Sequence, residues 1–175
     1  AGGNGSSGRH VVDHVLRPLG IAPEQVYFTD CLPTYFIKPG SGGQAEAMAA
    51  YDPFARSQNP PLPTADLPTR PPPRRLVHRA ITEEGPALRA QLTDAAAPMV
   101  ATLGQEAADV LAGIADAEPV RLTPGDDYGN LRSVTVDGRQ MQWIPLIHPG
   151  NRDSQWRARH EQWKQFAAAV RDRPT

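Results

Sequence analysis

One apolar run limits the fold more than any other stretch of this chain: Trp143-Ile144-Pro145-Leu146-Ile147, broken off by His148-Pro149-Gly150. A continuous apolar run of this length between turn signals suits a strand buried on both faces. Just upstream, Ser133-Val134-Thr135-Val136 leads into Asp137-Gly138, a pair that predicts a tight hairpin turning into the long strand. In open α/β sheets, ligands collect just beyond the carboxyl ends of the strands, so His148 is the first candidate site residue. A plainer role, a hydrogen bond inside its own turn, competes with the chemical one.

The rest of the chain alternates helical and strand-like patterns. After a Gly- and Ser-rich lead over residues 1–9, Val11, Val12, Val15, Leu16 and Leu19 recur at spacings of three and four, one face of a helix. Ser6 or Ser7 is suited to cap its start and Gly20 to end it. Backbone amides at such a Gly-rich start can hold a phosphate. Gln25-Val26-Tyr27-Phe28-Thr29-Asp30-Cys31 then reads as a buried strand stopped by Pro33, with Asp30 near its carboxyl end. A carboxylate there needs a ligand or a set of turn amides, since burying a lone charge is costly.

Residues 39–75 form a long Pro-, Gly- and Ala-rich insertion that closes in Arg70-Pro71-Pro72-Pro73-Arg74-Arg75. Each proline removes a donor and fixes φ, so little regular structure is expected in it. A helix capped by Thr82 is expected to run to Ala96, burying Leu88 and Leu92. Pro98 to Leu103 reads as a strand that passes through Gly104 directly into a helix carrying Ala107, Leu111 and Ile114. Trp156, Trp163, Phe166, Ala167 and Val170 mark a last amphipathic helix. Such alternation predicts one α/β domain over residues 1–175, three layers deep, with a mainly parallel central sheet under helices on both faces. The ends of its strands would bring Asp30, Gly104 and His148 to one rim.

Composition narrows the function. A single cysteine, Cys31, excludes a disulfide framework, an iron–sulfur cluster or a zinc site built on several cysteines, and leaves a reducing cytoplasm as the expected compartment. No run is long enough to cross a bilayer. A net charge of −1 argues against coating nucleic acid by global electrostatics, although Arg70, Arg74, Arg75 and Arg79, and again Arg152, Arg157 and Arg159, form local clusters that suit phosphate or a solvated helix face. There is no Gly-Lys-Ser/Thr phosphate loop and no Gly-x-Ser-x-Gly elbow.

Taken in order, the pieces resemble the uracil-DNA glycosylase superfamily. These are the Gly-rich lead to a helix closed by Leu19-Gly20-Ile21, the Val26-to-Asp30 segment, the Ala101-Thr102-Leu103-Gly104-Gln105-Glu106-Ala107 junction, and His148-Pro149-Gly150. The His148-Pro149-Gly150-Asn151-Arg152 loop followed by Trp156 is most similar to the single-strand-selective branch. The resemblance implies an enzyme that flips a nucleotide out of DNA and hydrolyses its glycosidic bond. It implies that His148 hydrogen-bonds the departing base, that Asp30 and Phe28 contact the base, and that Pro149, Gly150, Asn151 and Arg152, with Ser6 and Ser7, meet the DNA. It implies no cofactor and no metal, DNA as partner, no membrane, and a monomer.

Two features depart from the family pattern. Asp30 stands where an Asn is usual, and an ionised carboxylate offers acceptors only, so Asp30 is protonated, or reads another base such as one with an exocyclic amine, or has left catalysis. The first motif, a Gly-x-x-Pro-Gly strand end that positions the attacking water, is absent. The chain opens on Ala rather than Met, and that motif, with the first strand, is expected upstream. The competing reading is a non-catalytic nucleic-acid or nucleotide-binding module on the same fold.

Overall fold

The computed structural model describes residues 6–34, 36–38, 42–63, 68–124, 128–151 and 153–171. The first helical stretch consists of α1 (Ser6–Val11), a wider π turn over Val12–Leu16, and α2 (Arg17–Leu19), ended by Gly20 at φ 70°. The Pro-rich insertion contains α3 (Gly42–Ser57). Next come α4 (Pro73–Arg79), a second π turn over Ala80–Glu84, and α5 (Gly85–Asp94). Strand β1 (Met99–Leu103) leads into α6 (Gln105–Ile114); β2 (Arg132–Val136) and β3 (Arg139–Leu146) form the hairpin, and α7 (Ser154–Arg171) follows.

Both π turns have the same local cause. Each stops two residues short of a proline, Pro18 or Pro86. A proline inside a helix has no N–H to give and its ring crowds the carbonyl four residues back, and widening the preceding turn relieves that crowding.

Among the described residues the sheet has three strands in the order β1-β3-β2, with β1 parallel and β2 antiparallel to β3. It is therefore a small mixed sheet rather than the mainly parallel one expected, because the Asp137-Gly138 hairpin, with φ of 47° and 80° at those residues, reverses the chain into β3. Successive β3 side chains feed opposite faces. Met141 and Trp143 pack with Val134, Val136 and, from α6, Ala108 and Leu111. Ile144 and Leu146 pack with Val11, Val15 and Leu16 and, from α7, Trp163 and Ala167. Helices thus cover both faces of the sheet, and the Trp143 indole N–H is satisfied by Thr102 Oγ1 at 2.9 Å.

Four further expectations fail. Val26 to Asp30 is irregular, with Tyr27 61% and Phe28 58% exposed, because no strand among the described residues offers it a ladder. The insertion is not structureless: α3 occupies its first part with Pro53 inside it, and α4 begins at Pro73. Thr82 lies within the π turn rather than at a cap, its hydroxyl donating to the His78 carbonyl at 2.9 Å. Phe166 is 50% exposed although Trp163 and Ala167 beside it are buried.

Candidate active site

The parallel pair makes the rim. β1 and β3 run in register from Met99↔Gln142 to Leu103↔Leu146, so both end at one level and Gly104 emerges beside Ile147 and His148. The Gly104 N–H donates to the Leu146 carbonyl at 2.7 Å. With φ at 104° and a would-be Cβ only 3.3 Å from the His148 Cβ, this position requires glycine. Because α6 starts at the next residue, its amino-terminal end opens onto the same spot and favours a group that gains negative charge there.

A cleft of about 230 Å³ lies at this rim. Leu122, Ile147 and Trp156 give it apolar walls; Gln105, Glu106, His148 and Asn151 give it polar groups. Flat apolar walls with a few placed polar groups suit a planar, hydrogen-bonding ligand.

His148 is held by its own turn. The Gly150 N–H donates to its Nδ1 at 3.0 Å, and the Asn151 N–H to its carbonyl at 2.9 Å. In a neutral imidazole an accepting Nδ1 places the hydrogen on Nε2, so the ring carries its donor there. The ring stands at the cleft mouth and is largely exposed, yet the protein around it still desolvates it. That desolvation, followed by the charge of Lys38, holds its pKa below the usual histidine value, with Arg70 adding and Glu106 opposing. Of the two roles open in the sequence, the hydrogen bond inside its own turn is present, and it leaves the other ring nitrogen outside that bond.

Glu106 pairs with Arg70 at 3.0 Å. A lone carboxylate would repel negative charge developing in the cleft, and the guanidinium offsets it. Arg70 and Lys38 arrive together because Ile37 and Thr69 form an isolated parallel bridge, with the Ile37 N–H donating to Pro68 at 3.0 Å and the Arg70 N–H to Ile37 at 2.8 Å. Gln105 is structural: its Nε2 donates to Asp109 at 2.6 Å and to the Val120 carbonyl at 2.7 Å, and its Oε1 accepts the Leu122 N–H at 2.7 Å, fixing the Leu122 wall.

The other expected site residues divide. Asn151 lines the cleft, and Pro149 and Gly150 form the turn beside it. Asp30 and Phe28 are exposed and do not line it; Thr29 between them hydrogen-bonds Gln91 of α5 at 2.7 Å. The rim therefore joins Gly104 to His148 without Asp30. Arg152 and the side chains of Ser6 and Ser7 lie outside the described residues. Arg79, grouped by sequence with Arg70, is instead paired with Glu83 of its own helix at 2.7 Å. Sequence reasoning did not nominate Glu106 or Trp156 as site residues, although Glu106 directly follows the Gly104-Gln105 junction and Trp156 the His148 loop. Among the described residues, no group of three or more His, Cys, Asp or Glu is arranged to hold a metal ion, and no helix is long and apolar enough to cross a membrane.

No curated protein matches the chain. The family profile described as the uracil DNA glycosylase superfamily matches residues 4–172, taking in the whole of the sheet, the helices on both its faces and the His148 rim. The chain belongs to the uracil DNA glycosylase superfamily.

Proposed function

We propose that this protein is a DNA glycosylase that hydrolyses the N-glycosidic bond of uracil or a related deaminated base, with the flipped base seated in the His148 cleft. The observation that carries this reading is the Gly150 N–H bound to His148 Nδ1, which makes Nε2–H the donor that a neutral imidazole can offer a base carbonyl. As the bond between sugar and base lengthens, its electron pair moves onto the ring and charge builds on the carbonyl oxygens. Water adds to the sugar carbon, and the proton it loses passes through solvent to balance the charge on the departing base. A fixed donor facing that developing charge is worth about 10²–10³-fold in rate in comparable sites.

Asn151 supports the same substrate class. Its Oδ1 accepts the Asp153 N–H at 2.9 Å, and its amide NH₂ is then the group available as a donor to the cleft. Two donors, His148 and Asn151, favour a ring with two carbonyls over one with an exocyclic amine. Asp30 and Phe28 have no part in this pocket. Pro149, Gly150 and Asn151, continuing into Arg152, would enter the space left by the flipped nucleotide, with Ser6 and Ser7 at the start of α1 as further backbone contacts. The loop and Trp156 support kinship with the single-strand-selective branch, working as a monomer without a cofactor in the cytoplasm.

The test is base release from an oligonucleotide carrying one deoxyuridine, offered single-stranded and as a duplex. Wild type is expected to release uracil, and His148→Ala to lose about 10²–10³-fold in the single-turnover rate. A folded wild type that binds single strands yet leaves uracil and other deaminated bases in place would make it a binding module instead.

A further inference from the structure

A buried polar chain runs from the first helical stretch to the residue beside His148. The His14 carbonyl can only accept, so the His160 Nε2, 2.9 Å away, carries the hydrogen. Burial is the chief reason that the His160 pKa lies below its usual value, and the neutral ring then presents Nδ1 as an acceptor. The Tyr128 hydroxyl, 2.8 Å from that Nδ1, must donate to it. Its oxygen in turn accepts the Ile147 N–H at 3.2 Å. Every proton in the chain has one place to be.

The location gives the chain its meaning. The β1–β3 ladder ends at Leu146, so Ile147 is the first residue of the strand end that no ladder register holds. It is also the last residue before His148. Tyr128 and His160 are 2% and 7% exposed, so the ordering is internal rather than a surface accident. The Tyr128 ring packs against Trp156 at 5.7 Å, and Trp156 and Ile147 both line the cleft.

We propose that Tyr128, oriented by His160, is the positioning residue for His148: it pins the amide one residue before the imidazole and braces the Trp156 wall. The inference rests on the reading of His148 as the donor to the departing base. A donor that drifts by about 1 Å forfeits much of its effect, on the order of 10²-fold.

Tyr128→Phe keeps the ring against Trp156 and removes only the hydroxyl. In the full chain, the Ile147 amide is expected to exchange with solvent about tenfold faster, the His148 ring NMR shifts to move, and kcat on a single-stranded deoxyuridine oligonucleotide to fall about tenfold with KM within twofold. His160→Gln, which leaves Tyr128 in place, is expected to act in the same direction to a smaller extent, and it carries the test should the Phe variant not fold. A lower melting temperature with unchanged Ile147 exchange, unchanged His148 shifts and unchanged kcat per folded molecule would overturn the proposal, since that pattern marks a purely structural role. Should wild type release no base, the glycosylase reading falls by itself. Exchange at Ile147 and the His148 shifts then decide the positioning role, supporting it if they change and refuting it if they do not.

Discussion

Two stretches of this chain are written alike and fold differently. Val26 to Cys31 and Trp143 to His148 are both apolar runs that meet a polar residue and then a proline. In the second, Trp143 and Leu146 are 0% exposed and the strand is paired on both edges; in the first, two aromatic rings stand open to solvent. The difference lies in their neighbours. A β-prone run becomes a strand only where another strand takes its amides and carbonyls, and the site follows the strand that found partners.

Substitution in the two runs should separate them most sharply. Trp143→Ala removes a fully buried ring and strands the Thr102 hydroxyl, and is expected to cost about 3–5 kcal/mol in urea unfolding. Phe28→Ala should stay within about 0.5 kcal/mol. An equal loss at both positions would mean that Phe28 is buried in solution. At the two polar ends, Gly104→Ala forces a side chain into a left-handed backbone against the His148 Cβ, at roughly 1–3 kcal/mol, and should lower base release with stability. Asp30→Asn is expected to leave base release unchanged. A gain in uracil release from that variant would return Asp30 to the pocket.

Smaller effects test the electrostatics of the rim. Arg70→Ala removes one charge that lowers the His148 pKa and leaves Glu106, which raises it, without its partner. The His148 pKa should therefore rise, as an NMR titration would show, and base release near neutral pH should slow by a few-fold. The smallest effect is on stability against pH. Burial is the chief cause of a lowered pKa at each of His10, His148 and His160. The folded chain then binds fewer protons than the unfolded chain between the folded values and about 6.5, so stability is full above that pH and declines as pH falls below it. His160→Gln should flatten part of that decline, and an unchanged slope would show that His160 does not contribute.

The hairpin, the end of α2 at Gly20, the β1-to-α6 junction and the His148 turn were legible because each is set by residues adjacent in the chain. Asp137-Gly138 needs nothing distant to make a tight turn. Val26 to Asp30 was misread because local composition does not say whether a partner strand is at hand. Pro53 and the prolines around it obscured α3, and the π turns before Pro18 and Pro86 blurred the helical spacing. The Arg70–Glu106 pair and the Tyr128–His160 bond join residues far apart in sequence, which no periodicity reveals. His148 itself was legible as a position; the tautomer that gives it a use was not.

That β1 and β3 finish level with each other has a consequence for how such a cleft changes. The rim at Gly104 is fixed by backbone pairing with Leu146, while the apolar walls come from Ile147, Trp156 and the Leu122 segment, all outside the paired strands. What the cleft accepts can then be retuned in those segments with the platform left alone, much as a lathe takes a new tool without a new bed.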